Sequence, residues 1–270
     1  MFELFPSALP VTPYEQRMSN ARNAATFAQG GAGYRAARPT YPPALFDWLA
    51  AIAPANTMAW DIGCGSGQAT VDVAARFVRV IANDPAPDAL MHAPQLPNVT
   101  WVCATAESCE LPSEAVDLAL AASSFHWLDH DKFFPVLERA LRPGAVFAAV
   151  AYGRTAMAPE LQQAATVAFA PLQPYWAEGN RAVWSGYRDL PFPLTPVSAP
   201  SFAIEVDWTL DRYLAYAATW SACARHAEEV TAAGGSDAMA YARRVLEPVW
   251  GDAMHRITMP LTLRVGLRHV

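Results

Sequence analysis

The sequence predicts an α/β fold with a doubly wound, mostly parallel sheet of seven strands and helical lid insertions. Between residues 57 and 152, short apolar segments alternate with segments of helical periodicity. The segment 116–122 is apolar without interruption, as expected of a strand that is buried on both faces of a sheet. After residue 153 the alternation is lost, and residues 171–200 are rich in proline, tryptophan and tyrosine. A sheet domain followed by a less regular region is therefore expected.

The individual elements follow from hydrophobic periodicity and from the prolines and glycines that interrupt it. Strands are predicted over residues 57–62, 78–83, 99–103, 116–122, 145–152, 202–210 and 261–267. Helices are predicted over residues 14–29, 43–53, 68–77, 88–93, 132–141, 158–170, 211–225 and 237–250. Successive strands that are joined by helices require right-handed crossovers, which place the strands parallel in one sheet.

Composition narrows the class of protein. Hydrophobic residues make up 53% of the 270-residue chain and charged residues 16%, which supplies enough apolar surface for a full core. The formal net charge is −6 and no run of Lys or Arg is present, so a nucleic-acid backbone is not the expected partner. No apolar run reaches the roughly 18 residues of a membrane helix. These properties favour a small-molecule partner, with no nucleic acid and no membrane.

Cysteine usage gives a further expectation. The four cysteines lack the spacing of a metal site or a Cys-x-x-Cys pair, so no bound metal is expected. Cys64 and Cys103 fall in or beside predicted strands, where reduced and buried thiols are expected. Reduced thiols and an N-terminus without a basic leader indicate a cytoplasmic protein.

The most informative motif is Asp-Ile-Gly-Cys-Gly-Ser-Gly at residues 61–67, which spans the end of the first predicted strand and the turn into the next helix. Its glycines, Gly63, Gly65 and Gly67, permit backbone angles and a close ligand approach that a Cβ would block. The spacing is shorter than the G-x-G-x-x-G of dinucleotide folds, which binds a pyrophosphate. Asp61 would repel a pyrophosphate and attract a cation. S-adenosylmethionine carries an ammonium and a sulfonium, so the pattern favours it over NAD.

Further candidate residues follow the other strands, because ligands of open α/β sheets bind beyond the carboxyl ends of the strands. Asp84 follows the second strand, where a carboxylate can accept hydrogen bonds from ribose hydroxyls; a helix cap is the alternative. Thr105, Ala106 and Glu107 follow the third strand and could read an adenine edge, although Glu107 could equally be solvated. Residues 123–129 follow the fourth strand, near the position at which a methyl group would be presented.

Two residues of that last segment, His126 and Trp127, are the candidate catalytic residues. His126 is either a packed ring with one satisfied nitrogen or a substrate contact or general base with a pKa near neutrality. Arg225 and His226 either face solvent or pair with an anionic substrate.

Five tryptophans lie after the predicted sheet domain: Trp176, Trp184, Trp208, Trp220 and Trp250. They are either the ordinary core of a lid or the lining of a pocket for an apolar or planar substrate.

Together these segments resemble the class I S-adenosylmethionine-dependent methyltransferases, and more narrowly the type 11 group that includes trans-aconitate methyltransferase-like enzymes. The segments that carry the resemblance are Tyr34-Arg35-x-x-Arg38-Pro39-x-Tyr41-Pro42, Asp61-x-Gly63-x-Gly65-x-Gly67, Asp84-Pro85, Thr105-Ala106-Glu107, Phe125-His126-Trp127, Leu141-Arg142-Pro143-Gly144 and Thr219-Trp220-Ser221. The resemblance implies a Rossmann-like fold, S-adenosylmethionine as cofactor and methylation of a small molecule, possible acceptors being carboxylates and hydroxyls.

The resemblance also implies roles for individual residues. In this family the first acid and the glycine loop hold the methionine portion, the acid after the second strand holds the ribose, and the Ala-Glu segment lies by the adenine. The N-terminal Tyr-Arg segment closes over the cofactor. The corresponding cofactor-binding residues are Tyr34, Arg38, Asp61, Gly63, Cys64, Gly65, Asp84, Pro85, Thr105, Ala106, Glu107 and Ser123. Many relatives have Asp in place of Thr105, so a weaker or backbone-mediated contact with the adenine amine is expected.

Three parts of the chain are expected on this basis. Residues 1–33 form an N-terminal extension, residues 34–153 form the S-adenosylmethionine-binding α/β core, and residues 154–270 supply two late strands and a helical substrate lid.

The implied reaction is an in-line displacement at the sulfonium methyl group, for which alignment of the reactants is the main requirement. A carboxylate acceptor needs no base, whereas a hydroxyl or a carbon acid would use one, and His126 is the candidate. Two alternatives stay open. An NAD-linked oxidoreductase would require the longer glycine spacing, and a non-catalytic S-adenosylmethionine-binding module would keep the fold without turnover.

Overall fold

The computed structural model describes residues 31–232 and 237–269 of the chain. The described strands are β1 (Met58–Ile62), β2 (Arg79–Asp84), β3 (Val99–Cys103), β4 (Val116–Ala122), β5 (Leu141–Tyr152), β6 (Thr195–Val197), β7 (Ala203–Trp208) and β8 (His255–Leu267). The described helices are α1 (Gly31–Ala37), α2 (Pro43–Ile52), α3 (Gln68–Ala74), α4 (Pro87–Met91), α5 (His130–Ala140), α6 (Pro159–Ala168), α7 (Glu178–Trp184), α8 (Leu210–Ala218), α9 (Ser221–Ala232) and α10 (Ala238–Trp250). Short 3-10 helices cover Ala106–Ser108, Phe125–Trp127 and Ala170–Tyr175. The α/β class predicted from the sequence is confirmed.

One sheet runs through the molecule in the order β3-β2-β1-β4-β5-β8-β6, and β7 pairs with β8 outside this path. Strands β1 to β5 pair in parallel, whereas β8 runs antiparallel to β5, β6 and β7. The order reverses at β1, because β2 and β3 lie on one side of it and β4 and β5 on the other. Open sheets of this kind bind their ligands beyond the carboxyl ends of the strands at the reversal.

Apolar side chains on the two faces of the sheet form two cores. Along β4, Leu118 and Leu120 pack into one core while Ala119 and Ala121 pack into the other, as the two-residue period of a strand requires. The first core joins the sheet to α2, α3, α6, α8 and α10, and the second joins it to α5 and α7. Helices therefore cover both faces, which is the doubly wound arrangement.

Local sequence explains where several helices begin. Pro43 starts α2, a position at which its missing N–H removes no helical hydrogen bond. Thr209 precedes α8, and its side chain accepts a hydrogen bond from the N–H of Arg212. Asp237 does the same for α10 through the N–H of Met239. Each of these three helices therefore begins at a residue that suits a helix N-terminus.

The sheet has one strand more than the seven predicted. The additional strand, β6, lies inside the aperiodic stretch 171–200. Strand β8 also begins at His255 rather than at residue 261; its first half, up to Pro260, pairs with β7, and its second half pairs with β5. A proline inside a strand removes a donor from the ladder and ordinarily marks a strand end, so only the second half was predicted.

The predicted helix over 211–225 is two helices, α8 and α9, which are separated at Thr219 and Trp220. The Thr219 hydroxyl donates to the carbonyl of Tyr216 at 2.6 Å. Such a local bond competes with the helical hydrogen bonds and accompanies the break.

The burial of Cys64 is as expected, but Cys103 is exposed, so the expectation of a buried thiol there is wrong. The reason is the position of β3 at the edge of the described sheet, where its last residue faces solvent. The predicted helix over 14–29 lies outside the described residues. Within residues 31–232 and 237–269, no helix combines the length and the apolar character needed to cross a membrane.

Candidate active site

A cavity of about 410 Å³ lies beyond the carboxyl ends of the parallel strands. Its lining includes almost all of the residues assigned from the sequence to cofactor binding or catalysis: Arg38, Asp61, Gly63, Cys64, Gly65, Asp84, Pro85, Thr105, Ala106, Glu107, Ser123, His126 and Trp127. The remaining one, Tyr34, belongs to α1, but its side chain lies outside the described part of the structure. The fold thus brings residues from four strand ends into one cavity.

The three glycines of the loop after β1 differ in what a side chain at each position would contact. All three have positive φ angles of 62°, 56° and 82°, which L side chains rarely adopt. A Cβ on Gly63 would lie 2.6 Å from the Cβ of Ser124, and a Cβ on Gly67 would lie 2.6 Å from the ring of Trp101. A Cβ on Gly65 would meet no protein atom within 4 Å. Gly63 and Gly67 therefore allow protein atoms to pack closely, whereas Gly65 keeps open the space beside the cavity.

Asp61 is a fully buried carboxyl group with one unpaired oxygen. Its Oδ2 accepts a hydrogen bond from the hydroxyl of Thr70 at 2.6 Å, whereas its Oδ1 has no partner among the described residues. Burial raises the pKa of Asp61 from 3.8 to about 7; the bond from Thr70 lowers it, and the nearby Asp84 carboxylate raises it further. A buried carboxylate is costly unless a cation or hydrogen-bond donors compensate it. Asp61 is therefore suited to a positively charged ligand group.

Asp84, at the end of β2, is held by the backbone around it. Its Oδ2 accepts a hydrogen bond from the N–H of Gly65 at 2.8 Å, and its Oδ1 accepts one from the N–H of Ala86 at 2.9 Å. Burial raises its pKa and these two bonds oppose the rise. Each oxygen keeps a further lone pair, so the fixed carboxylate can accept hydrogen bonds from two hydroxyl groups.

Glu107 is not simply solvated. Its Oε1 accepts a hydrogen bond from the N–H of Asp129 at 2.9 Å, which ties the 3-10 helix Ala106–Ser108 to the segment before α5. The hydroxyls of Thr105 and Ser108 lie 3.0 Å apart and hydrogen-bond to each other. The wall of the cavity beyond β3 is therefore braced by its own polar side chains.

The segment after β4 adopts an unfavourable backbone angle. Ser123 has a φ of 58°, a left-handed conformation that costs a non-glycine residue about 1 kcal/mol or more. Its hydroxyl hydrogen-bonds to that of Tyr41 at 2.8 Å, and its N–H donates to the carbonyl of Val150 at 2.6 Å. The Ser124 hydroxyl donates to the carbonyl of Ile62. These bonds fix the centre of the cavity against β1, β5 and the N-terminal segment.

His126 is buried beside this segment and is neutral at pH 7. Its Nδ1 lies 3.0 Å from the hydroxyl of Tyr187, and its ring centroid lies 4.4 Å from that of Trp127. Burial lowers the pKa of His126 from 6.5 to about 3, and His130 adds to the effect. Of the two alternatives for His126, the packed ring with one satisfied nitrogen fits this environment, and a base with a pKa near neutrality does not. Nε2 is the ring nitrogen that Tyr187 leaves available.

Helix α7 packs directly on His126 and Trp127. A Cβ on Gly179 would lie 2.8 Å from the ring of Trp127 and 3.0 Å from Cδ2 of His126. Such distances are too short for a side chain, so glycine is needed for this approach.

The five tryptophans divide between the two roles expected of them. Trp176, Trp184 and Trp220 line the cavity, whereas Trp208 and Trp250 belong to the core. Arg225 and His226 are absent from the lining: Arg225 donates to the carbonyl of Tyr175, and His226 is buried against the Tyr175 ring.

Several lining residues were not among the candidates from the sequence: Tyr41, Tyr152, Asn180, Tyr216 and Ser221. Asn180 lies in the aperiodic stretch 171–200, which offered no element on which to place it. Tyr41 and Ser221 belong to the segments that carry the family resemblance, and this position could have identified them as lining residues.

A doubly wound sheet with an antiparallel β8 beside β5, a glycine loop after β1 and carboxylates at the ends of β1 and β2 defines a class of nucleoside-binding Rossmann-like proteins. Among the described residues, no group of three or more His, Cys, Asp or Glu side chains is placed to hold a metal ion.

Comparison with known proteins identifies the family. Residues 60–149 match the family described as "Methyltransferase domain". The solved structure of a candidate type II methyltransferase from Anaeromyxobacter dehalogenans is 41% identical, with 86% of this chain and 98% of that chain covered and a TM-score of 0.78. This chain belongs to the S-adenosylmethionine-dependent methyltransferase family.

Curated relatives match over shorter segments. An uncharacterized methyltransferase of Mycobacterium tuberculosis is 35% identical over 120 residues, which cover 44% of this chain and 49% of that protein. A trans-aconitate 2-methyltransferase of Azoarcus sp. is 39% identical over 92 residues, or 33% of this chain and 36% of that protein. The chain thus spans about half the length, or less, of these two relatives. The comparisons give an oxidoreductase no support.

Proposed function

We propose that this protein is an enzyme that transfers a methyl group from S-adenosylmethionine to a small molecule. The observation that carries the proposal is the unpaired, buried Oδ1 of Asp61, a residue that lines the same cavity as the open position at Gly65. A buried carboxylate regains the stabilisation that it lost with its hydration when a cation lies against it. The ammonium of S-adenosylmethionine supplies that cation, whereas the pyrophosphate of NAD would bring negative charge.

The other lining residues fit the remaining parts of this cofactor. Asp84 has lone pairs for the two ribose hydroxyls, and Pro85 follows it in the wall. Thr105, Ala106 and Glu107 line the cavity beyond β3 and are the proposed contacts of the adenine. Gly63, Cys64, Ser123, Arg38 and Tyr34 complete the proposed cofactor-binding set. When bound, the cofactor supplies an electrophilic methyl group on a positively charged sulfur.

The protein's own contribution is chiefly orientation. The Ser123–Trp127 segment is fixed by its bonds to Tyr41, Val150 and Ile62, so an acceptor that contacts it is held in one position. Such positioning can supply several kcal/mol, from an upper range of about 7–11 kcal/mol.

The state of His126 bears on the acceptor. With a pKa of about 3 the imidazole is a poor base, but its free nitrogen can orient an acceptor by a hydrogen bond. This favours an acceptor that is already nucleophilic, such as a carboxylate, over one that must lose a proton. O-methylation of a carboxylate is the proposed reaction, and hydroxyl O-methylation is the second option.

Calorimetric titration with S-adenosylhomocysteine tests the function. We expect the wild type to bind, and the Asp61→Asn variant to bind roughly tenfold to a hundredfold more weakly, because a charge-assisted hydrogen bond is lost. Asp252→Asn, at an exposed position away from the cavity, is the matched control and should bind like the wild type. Absence of wild-type binding at millimolar ligand would refute the proposal.

A turnover assay separates an enzyme from a binding module. Formation of S-adenosylhomocysteine from S-adenosylmethionine is followed with a panel of small carboxylic acids and phenols. Turnover with at least one acceptor is expected, and binding of the cofactor product without turnover on any acceptor would indicate a module instead.

A further inference from the structure

We infer that the methyl acceptor is a planar, largely apolar molecule with at most one negative charge, of the class of the conjugated aromatic monocarboxylic acids. This assignment depends on the methyltransferase function proposed above. The first observation is the aromatic character of the cavity wall beyond β5. The aromatic residues of this lining are Tyr152 at the end of β5 and, further along the chain, Trp176, Trp184, Tyr216 and Trp220; Trp127, from the segment after β4, lines the same cavity.

These rings form a continuous wall. The ring centroid of Trp176 lies 5.2 Å from that of Trp184 and 5.5 Å from that of Trp220. The ring of Trp220 in turn lies 5.6 Å from that of Tyr216, edge to face. Packed against one another, the rings keep a fixed geometry and offer flat faces and edges to a ligand. A flat, conjugated ligand gains the most contact with such a wall.

The second observation is the charge of the lining. Arg38 is the one Lys or Arg side chain among the described residues that line the cavity. Its guanidinium donates to the carbonyl of Thr219 at 3.0 Å and lies over the rings of Tyr152 and Tyr216, at 5.9 and 5.5 Å from their centroids. This cation is therefore already engaged by protein groups.

Three carboxyl groups line the same cavity, namely Asp61, Asp84 and Glu107. A polycarboxylate would meet more negative than positive charge there, and it would lose its hydration without equivalent compensation. A molecule with one carboxylate has a far smaller desolvation penalty, because a single anionic group can be satisfied by a few neutral hydrogen-bond donors.

Neutral donors for one such group are present. The Oδ1 of Asn180 accepts a hydrogen bond from the Ser221 hydroxyl at 3.2 Å, which leaves the amide nitrogen of Asn180 as a donor in the lining. Nε2 of His126 is a second neutral group on the same side, since α7 carries Asn180 and packs on His126. The wall thus offers a few polar atoms among many apolar ones, a composition typical of sites for small apolar ligands.

A matched pair of unsaturated acids tests the assignment. trans-Cinnamate is planar and aromatic with one carboxylate, whereas trans-aconitate carries three carboxylates and no ring. Both are titrated into the protein loaded with S-adenosylhomocysteine and are tested as acceptors with S-adenosylmethionine. We expect cinnamate to bind at least about tenfold more tightly. Equal or tighter binding of trans-aconitate, or no binding of cinnamate at millimolar concentration, would overturn the assignment.

Two tryptophan variants locate the binding surface. Trp220→Leu should weaken cinnamate binding by about three- to tenfold, the value of an aromatic contact, and leave S-adenosylhomocysteine binding unchanged. Trp48→Leu, at a tryptophan that packs against Phe202 outside the cavity, should leave both unchanged. An unchanged cinnamate affinity in Trp220→Leu would contradict the assignment. If the cofactor product itself fails to bind the wild type, the proposed function fails, and the acceptor assignment fails with it.

Discussion

At the scale of single residues, the charge of Asp61 lowers the stability of the ligand-free protein and favours the binding of a cationic ligand. Its pKa in the folded protein is about 7, against 3.8 for an unperturbed carboxyl group. Between these values the folded state holds a proton that the unfolded state has released, so this residue's contribution to stability falls as the pH rises. Above pH 7 the ligand-free protein carries a buried charge with one unpaired oxygen. The same charge is what attracts a cationic ligand.

Asp61→Asn is therefore expected to stabilise the free protein at alkaline pH. The amide removes the charge and can still accept the hydrogen bond from Thr70. The free energy of unfolding of the variant, relative to that of the wild type, should rise by up to about 3 kcal/mol between pH 5 and pH 8. The reason is that the wild type loses about 1.4 kcal/mol for each of the roughly two pH units between pH 5 and the folded pKa of Asp61. Urea unfolding at both pH values measures this. A variant that is less stable than the wild type at pH 8 would contradict the charge assignment.

The same titration predicts how cofactor binding depends on pH. Protonated Asp61 offers no charge to an ammonium, so the affinity for S-adenosylhomocysteine should fall as the pH drops below about 7. The affinity can fall by at most about tenfold per pH unit, because a single proton on Asp61 competes with the ligand. Calorimetry at pH 6 and pH 8 measures the effect, and Asp61→Asn should abolish most of it. Equal wild-type affinities at the two values would refute the prediction.

His126 gives a residue-scale prediction about chemistry. Since its pKa is about 3, it is neutral throughout the physiological range, and its role is to position the acceptor. His126→Gln keeps a neutral hydrogen-bonding side chain and should retain activity on a carboxylic acid within about tenfold, whereas loss of a general base would cost about a hundredfold or more. The measurement is kcat/KM against pH. A hundredfold loss, together with loss of an ionisation near neutrality, would show that His126 acts as a base.

At the scale of elements, helix α7 packs on the segment after β4 and also contributes to the cavity lining. Gly179 allows the helix to lie against His126 and Trp127, and Asn180 enters the lining one residue later. Gly179→Ala should push the helix away, raise the KM for the acceptor and reduce stability by about 1–3 kcal/mol, the usual range for overpacking.

Thermal unfolding and acceptor kinetics measure both effects of Gly179→Ala. Gly33→Ala is the matched control, because a Cβ at that helical glycine meets nothing within 4 Å. It should be neutral or slightly stabilising, since alanine is the better helix former. Unaltered acceptor kinetics in Gly179→Ala would show that the packing of α7 does not shape the cavity.

The elements that could be predicted are those with strong periodicity. Strands β1 to β4 and helix α2 were predicted to within a residue or two, because apolar runs and flanking turn residues mark them. Helix α7 and strand β6 were missed, since residues 171–200 have no period and are interrupted by proline. Their positions depend on packing against residues far away in the sequence, which propensity does not encode.

In the candidate site, too, some features could be predicted from the local sequence and others depend on tertiary packing. Asp61 and Asp84 lie at the carboxyl ends of β1 and β2, Glu107 follows β3, and the topology of an open sheet alone places such residues at one edge. The depressed pKa of His126 was not predictable, because it comes from burial beside Tyr187 and His130. The exposure of Cys103 was missed for a related reason: which strand lies at the edge depends on the strand order.

At the scale of the whole molecule, the cavity has two walls of different origin. The strand ends of the regular sheet supply the carboxylates and the glycine loop, and the chain after β5 supplies most of the aromatic rings, namely Trp176, Trp184, Tyr216 and Trp220. We propose that residues 154–270, besides completing the sheet, act as the substrate lid, because α7 and α9 contribute Asn180 and Ser221 to the lining. The cofactor-binding residues and most of the residues that contact the acceptor would then lie in separate parts of the chain.

The most direct test of the central claim is a crystal structure of the protein with S-adenosylhomocysteine. The amino group of the ligand should lie within hydrogen-bonding distance of Oδ1 of Asp61, and the ribose hydroxyls should contact Asp84. A complex in which that amino group lies away from Asp61, or in which a phosphate-bearing coenzyme occupies the cavity in preference, would contradict the account.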